Sequence, residues 1–101
     1  MTKQAVCIYN LIVKYQWDEN KNRANKAKHG LSFEDAERFD WDGAMVVVDD
    51  RDDYGEDRMI AQGFIDARLC ILVFTRRGEN IRIISLRKAS KKEIQTHEKT
   101  A

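Results

Sequence analysis

The sequence contains no proline, and only two cysteines and two histidines stand among its 101 residues. Cys7 and Cys70 lack the spacing of metal ligands and lie in apolar surroundings, so they are predicted to be small core residues in a reduced cytosol. A disulfide between them is the open alternative. No internal repeat or low-complexity segment divides the chain, and its length suits one domain, residues 1–101, with a modest core.

Long apolar runs are missing too. The run Ala5–Val13 is interrupted by Tyr9 and Asn10 and is too short to span a membrane. It also lacks a small-residue cleavage site of the secretory kind. The sequence therefore predicts a cytoplasmic protein with no membrane partner. Residues 1–14 are interpreted either as an edge strand or as an N-terminal extension that lies against the core.

Several catalytic signatures are absent from the sequence. It has no glycine-rich phosphate cradle, no serine–histidine–aspartate order and no cysteine nucleophile signature. The acidic stretch Asp49–Asp57 lacks the alternating ligand spacing and terminal glutamate of an EF-hand loop. It is interpreted as a solvated, mobile loop. We expect neither a metal nor a cofactor.

The charges that are present are balanced in number but segregated along the chain. The chain has eighteen Lys and Arg residues and seventeen Asp and Glu residues, which gives a net charge of +1. Residues 76–101 hold eight basic and three acidic residues, whereas residues 49–58 hold six acidic and two basic ones. Such patches suit a polyanion at one surface and a basic partner at another.

The caps and apolar spacing predict an α+β domain with two N-terminal helices, a four-stranded, mostly antiparallel twisted sheet and a short C-terminal helix. The first helix starts after Asp18, ends at His29-Gly30 and turns Ala24 and Ala27 inward. The second helix starts after its N-cap Ser32, and the third follows Ser90 in a capping box with Glu93. The four strands are predicted at Met45–Val48, Arg58–Ile65, Arg68–Thr75 and Ile81–Arg87.

The last predicted strand contains basic residues among its apolar ones. Alternation puts Arg82 on the face opposite Ile81 and Ile83, and it puts Arg87 on the other face. Because burial of an unpaired guanidinium costs several kcal/mol, each arginine must reach a surface or a carboxylate. Two interpretations stay open: the arginines snorkel or pair with nearby acids, or they line a basic cleft that holds a polyanion.

A series of motifs in this sequence resembles the BrnT toxins, and the motifs follow the order of that family. They are Trp17–Lys21, Asn25, Lys28–Ala36, Thr75–Gly78 and Arg82–Ala89, so the resemblance extends from about Trp17 to Lys92. Leu86 stands where the family usually has alanine. The first 14 or so residues precede the family's usual start.

The resemblance implies a single toxin domain with a RelE-like fold. It implies a type II toxin–antitoxin toxin that acts as a metal-independent endoribonuclease and inhibits translation. It further implies a BrnA-like antitoxin that neutralises the toxin in a heterotetramer or higher complex. DNA is then contacted only through the antitoxin.

RNA cleavage by the 2′-hydroxyl needs a base, an acid and cations that stabilise the phosphate. These requirements and the resemblance together indicate three catalytic candidates: His29, Arg77 and Arg82. Arg82 is expected to bind the phosphate. His29 has the alternative role of a cation at a helix C-terminus. His97 is expected to be exposed. The candidate RNA-binding residues are Lys21, Lys28, Arg87 and Lys88.

A different class of function fits the same basic surface. A non-catalytic module that binds RNA or a protein partner needs the cations but no base or acid. Since the residues alone do not complete a base–acid pair, product formation separates this alternative from an enzyme.

Overall fold

The computed structural model describes residues 14–49 and 57–100, which form an α+β fold. Within these ranges no helix is long and apolar enough to cross a bilayer. The predictions for Ala5–Val13, for Cys7 and for residues 50–56 lie outside the described residues. In chain order the elements are β1 (Tyr15–Gln16), α1 (Glu19–His29), a 3-10 helix (Phe33–Arg38), β2 (Met45–Asp49), β3 (Arg58–Ile65), β4 (Arg68–Arg77), β5 (Asn80–Lys88) and α2 (Lys91–Thr100).

The described sheet has five strands in the order β1-β5-β4-β3-β2, so the prediction of four strands is wrong by one. β1 runs parallel to β5, and the other neighbours are antiparallel. β1 has only two residues, too few to show an alternating pattern in the sequence. It forms because the chain passes beside β5, where the Ile81 amide donates to the Lys14 carbonyl at 3.0 Å.

The second predicted helix is a six-residue 3-10 helix rather than an α-helix. Its cap is as predicted, since the Ser32 amide donates to the Asp35 carboxylate at 3.0 Å. The helix stops early because the chain returns to extended structure: Phe39 forms a bridge with Ile65, and the Asp40 amide donates to the Phe64 carbonyl at 2.9 Å. This pairing leaves too little chain for a second α-helical turn.

The core lies between one face of the sheet and the layer of α1 and the 3-10 helix. Phe33 and Ala36 are fully buried there, as their spacing predicts. Leu72 of the central strand β4 belongs to the same buried cluster. Trp41 closes one side, with its ring 4.8 Å from Phe39 in an edge-to-face contact. Cys70 is also in this core, as predicted, and carries a free thiol.

Asparagines, not alanines, attach α1 to the rest of the fold. Ala24 and Ala27 are exposed, so the predicted apolar stripe is wrong, while Asn22 and Asn25 are buried. The Asn25 amide nitrogen donates to the carbonyls of Leu31 at 2.9 Å and Leu86 at 2.7 Å, and its oxygen accepts from the Leu86 amide at 3.1 Å. The helix thereby satisfies the outer edge of β5 where β1 does not reach.

α2 packs on the opposite face of the sheet through His97. This side chain is buried, contrary to the prediction of exposure. Its Nδ1 lies 2.9 Å from the Gln62 amide nitrogen, and its ring contacts Phe64 edge to face at 5.8 Å. The helix is held to β3 because both partners project from the face that the core helices leave open.

Candidate functional site

A β-bulge in β5 decides which side chains share a face of the sheet. The register between β4 and β5 shifts by one residue between Val73 and Phe74, which leaves Ile84 as an extra residue on β5. An extra residue reverses the alternation beyond it. Arg82 and Arg87 therefore lie on the same face, and the prediction of opposite faces from simple alternation is wrong.

Burial along β5 agrees with this bulge. Ile83 and Leu86 are three positions apart, yet both point into the core, with exposed fractions of 1% and 0%. Strict alternation would have put one of them on the far face. We call the face opposite this core the arginine face, because it carries Arg77, Arg82 and Arg87.

One cross-strand row of the arginine face is polar across all five strands, and we call it the polar row. Each member lies directly opposite the next in the sheet register. At about 4.8 Å between neighbouring strands, the row is about 19 Å long. Asp49 and Thr75 are buried, with exposed fractions of 5% and 3%. From β1 to β2 the row comprises Gln16, Arg82, Thr75, Arg58 and Asp49.

Arg82 presents the guanidinium that is best placed in this row to bind an anion. Its neighbours across the strands, Thr75 and Gln16, are uncharged. Among residues 14–49 and 57–100, its side chain makes no hydrogen bond or ion pair, and it is partly exposed. Thr75 is fixed beside it, because its hydroxyl donates to the Asp57 carbonyl at 2.7 Å. The planar fork of Arg82 is therefore available to two phosphate oxygens.

Arg77 belongs to the same end of the arginine face. It lies two residues beyond Thr75 on β4, opposite Asn80. The intervening turn is closed by Gly78, whose φ of 63° favours glycine. Diagonal neighbours of this kind have α-carbons about 7–8 Å apart. The structure thus brings together two of the predicted catalytic residues, Arg77 and Arg82.

Arg87, a predicted RNA-binding residue, is engaged by α2. Its two terminal nitrogens contact the two carboxylate oxygens of Glu93 at 2.8 and 2.9 Å. Glu93 also accepts from the Ser90 amide at 2.8 Å, which confirms the predicted capping box. Chiefly because of the Arg87 hydrogen bonds, the pKa of Glu93 falls from its ordinary 4.5 to about 2. The two-point contact between Arg87 and Glu93 therefore attaches α2 to β5.

Replacement of Glu93 by glutamine should weaken this attachment in a pH-dependent way. Because the pKa of Glu93 is lowered in the folded state, its contribution to stability is complete above pH 4.5 and is lost as pH falls toward 2. Both side chains are about a third exposed, so solvent screening reduces the contribution to roughly 1 kcal/mol at pH 7.

Urea unfolding at pH 7 and at pH 3 measures this difference. We expect Glu93→Gln to be less stable than the wild type at pH 7 and the gap to narrow at pH 3. Glu98→Gln, at an exposed position on the same helix, is the control and should change little. An equal gap at both pH values would mean that charge does not hold the contact.

His29 lies at the other end of β5 from Arg82. It is the last residue of α1 and is partly buried. Burial, then the positive charges of Lys28 and Arg87, lower its pKa below 6.5, so it is neutral at pH 7. Arg87 and Arg82 are separated by about 15 Å along the strand. The structure therefore places His29 beside Arg87 and apart from Arg77 and Arg82.

The remaining predicted RNA-binding residues lie away from the arginine face. Lys21 and Lys28 are exposed on α1. Lys88 is exposed at the end of β5, on the core side, opposite Cys70. None of the three belongs to the arginine face that carries Arg82.

Sequence reasoning missed the polar row itself. Gln16 lies in a segment with no strand signal, and Asp49 opens the stretch that is interpreted as an acidic loop. Thr75 and Arg58 stood at the ends of predicted strands, where polar residues are ordinary. The signal that could have found them is register: once two hairpins are aligned, a polar residue recurs at the same level of each strand.

The described part of the chain contains no cluster of three or more His, Cys, Asp or Glu side chains that could hold a metal ion. What the arginine face offers is positive charge on a rigid sheet. Guanidinium groups can bind phosphate oxygens in two-point contacts and stabilise charge that builds on them.

The chain was compared with known proteins at the level of sequence. No curated protein matches it significantly. The sequence model of one family, described as "Ribonuclease toxin, BrnT, of type II toxin-antitoxin system", matches residues 17–93, which include α1, the sheet from β2 to β5 and the start of α2. Arg77, Arg82 and His29 all lie within that match. The chain belongs to the BrnT family of ribonuclease toxins of type II toxin–antitoxin systems.

Proposed function

We propose that this toxin is a metal-independent endoribonuclease that inhibits translation in the cytoplasm through the arginine face. A ribonuclease toxin with an RNA substrate and an antitoxin partner follows from the family. The mechanism is the further step. The proposal includes a RelE-like architecture and a BrnA-like antitoxin, bound in a heterotetramer or higher complex, through which DNA is contacted.

The observation that supports the proposal most strongly is that Arg82 has no acidic partner among the described residues. It lies within the polar row, opposite buried Thr75, and no carboxylate in the described residues engages it. Arg87, by contrast, is bound by Glu93. An arginine with a structural role is normally paired in this way, because ordering its long side chain costs entropy. Within residues 14–49 and 57–100, Arg82 has no such partner, which suits a residue that binds a ligand.

The proposed reaction is an in-line transesterification. The ribose 2′-oxygen attacks the adjacent phosphorus, the 2′-proton leaves to a base, and the bond from phosphorus to the 5′-oxygen breaks. The 5′-oxygen takes up a proton, and the products end in a 2′,3′-cyclic phosphate and a 5′-hydroxyl. Arg82 and Arg77 stabilise the extra negative charge on the phosphate oxygens in the transition state.

Incubation of purified toxin with RNA in EDTA tests the proposal. We expect cleavage to persist in EDTA and the products to carry the two ends named above. Activity that EDTA abolishes and added Mg²⁺ restores would contradict metal independence. Binding of RNA without product in a single-turnover experiment would instead favour the non-catalytic module, whose affinity should fall steeply with salt.

The substitution His29→Gln tests whether the reaction takes place at Arg82 or at the other end of β5. Because the charge of Arg87 reaches His29 and Arg87 is about 15 Å from Arg82 along β5, we expect the variant to keep cleavage within about threefold of the wild type. Its neutral form at pH 7 adds no charge for RNA, so RNA affinity should also change little.

The matched measurement is the pH–rate profile of wild type and variant. If His29 is the base, the wild type loses activity as pH falls through a pKa below 6.5, and the variant lacks that limb. A loss of about 100-fold in His29→Gln together with the missing limb would move the reaction to the α1 end of β5.

A further inference from the structure

α2 covers only part of the arginine face, and burial along β4 indicates where its cover ends. Leu69 and Ile71 point to this face and are buried, with exposed fractions of 5% and 4%, since the contacts of α2 with β3 place the helix beside them. Val73 is the next residue on the face and is partly exposed. Thr75 is buried again, because the chain at Asp57 lies against its hydroxyl. Val73 therefore lies in a groove between α2 and the polar row.

The groove follows one cross-strand row of the arginine face, which we call the middle row. It lies one row from the polar row, about 7 Å away along the strands. Its side chains are partly or largely exposed, and among residues 14–49 and 57–100 they make no hydrogen bond, ion pair or ring contact. From β2 to β5 the middle row comprises Val47, Ile60, Val73 and Ser85. The groove thus has an apolar floor with one hydroxyl at its β5 end.

The hydroxyl end of the groove is also the end nearest to Arg82. Ser85 and Arg82 belong to the same strand, and the bulge at Ile84 between them puts both side chains on the arginine face. Because only one row separates the two side chains, a phosphate held by Arg82 has a neighbouring base within reach of Ser85.

A nucleobase matches this combination of surfaces. Its two faces are largely apolar, whereas its edge carries hydrogen-bond donors and acceptors, and proteins recognise single-stranded RNA by binding such unstacked bases. The Ser85 hydroxyl can donate or accept a hydrogen bond, so it can bind the edge of a base while Val73 contacts the face.

An apolar segment of the antitoxin is the other class of occupant for an apolar floor, and it fits less well. It would cover the Ser85 hydroxyl without a hydrogen-bond partner, which costs free energy. It would also gain nothing from the guanidinium of Arg82 at the same end of the groove, whereas an RNA chain presents a base and a phosphate together.

We propose that the middle row is a base-binding subsite, in which the nucleobase next to the phosphate on Arg82 lies against Val73 and hydrogen-bonds to Ser85. The subsite deepens the proposed function and rests on it, because the phosphate on Arg82 fixes which base enters. The groove is one row wide, so it admits a base that has left its stack and excludes a paired one. The toxin therefore requires single-stranded RNA at this position.

Binding of an uncleavable RNA tests the subsite without relying on catalysis. The probe is a short single-stranded 2′-O-methyl RNA, which lacks the attacking hydroxyl, with its nucleotides replaced one at a time by an abasic residue. We expect one abasic position to lower the affinity of the wild type about tenfold, since contacts to one base are lost. Ser85→Ala should lower affinity for the intact RNA about fivefold and should have no further effect on RNA that is abasic at that position.

Val73→Ala and Val48→Ala form a matched pair for the apolar floor. Val48 is on the opposite face of the sheet, since it pairs with Met59, which pairs with core Phe74. Val73→Ala should weaken binding of the intact RNA and lose this effect on the abasic RNA, whereas Val48→Ala should bind both like the wild type. A thermal unfolding curve for each variant shows that the fold is retained.

Three results would overturn the subsite. They are equal wild-type affinity for every abasic RNA, a Ser85→Ala loss that persists on all of them, and a Ser85→Ala loss of affinity for the antitoxin with RNA affinity unchanged. Cleavage in EDTA combined with any of these would keep the endoribonuclease and remove only the subsite. Base-dependent binding without cleavage would keep the subsite and remove the enzyme. A wild type that does not bind the intact RNA would remove both.

Discussion

Arg82→Ala should lower the rate of RNA cleavage by about 100-fold while the fold is retained. The loss is that expected when one preorganised cation is removed from a phosphate that gains charge in the transition state. The fold should tolerate the change because Arg82 is partly exposed and makes no side-chain hydrogen bond or ion pair within the described residues. Single-turnover cleavage and a thermal unfolding curve measure the two quantities on one sample.

Arg76→Ala is the matched control for this experiment. Arg76 is an exposed arginine on the same hairpin, but it pairs with Ile81 and belongs to the opposite face. It should cleave like the wild type. Arg82→Lys keeps the charge without the planar fork and should fall between the wild type and the alanine variant. Equal cleavage by Arg82→Ala and wild type would remove Arg82 from the mechanism.

Asn25→Ala should destabilise the fold by about 3 kcal/mol, the largest loss that we expect from one substitution here. Asn25 is buried, and its side chain makes three hydrogen bonds, two of them to the backbone of Leu86 at the outer edge of β5. Alanine leaves buried backbone groups without partners, which costs about 1–3 kcal/mol for each. Chemical unfolding at pH 7 measures the change in the free energy of unfolding.

Two variants make this interpretation specific. Asn20→Ala removes an exposed asparagine of the same helix, whose side chain accepts from Arg23, and should cost under about 0.5 kcal/mol. Asn25→Asp keeps the size but loses both donors to the carbonyls of Leu31 and Leu86, so it should be nearly as unstable as Asn25→Ala. A stable Asn25→Asp would show that shape, and not hydrogen bonding, holds α1 to the sheet.

Local signals in the sequence predicted the parts of the fold that neighbouring residues control. The helix cap at Asp18 and the left-handed glycine at Gly30 are where they were expected, because both depend on one or two adjacent backbone groups. The capping box of Ser90 and Glu93 is equally local. The run Leu69–Phe74 is apolar throughout, which predicts a strand buried on both faces, and β4 does lie at the centre of the described sheet.

Contacts between distant residues were predicted less well. The position of His97 near the C-terminus predicts an exposed side chain, but His97 is buried and contacts Gln62 and Phe64. Hydrophobic periodicity predicts that Ala24 and Ala27 are the inward positions of α1, because it does not detect an asparagine whose side chain hydrogen-bonds to distant backbone groups. In both cases the partner lies more than thirty residues away in the chain.

The sequence by itself determined the family, the α+β class and the choice of Arg77 and Arg82 as catalytic candidates. Motifs and helix caps depend only on residues that are close together in the sequence. Tertiary structure decided which of these residues meet. The bulge at Ile84 turned Arg82 and Arg87 to one face, and the register of five strands assembled the polar row. Glu93 engages Arg87, whereas no carboxylate of the described residues engages Arg82. Register depends on how whole strands align, and no single stretch of sequence contains that information.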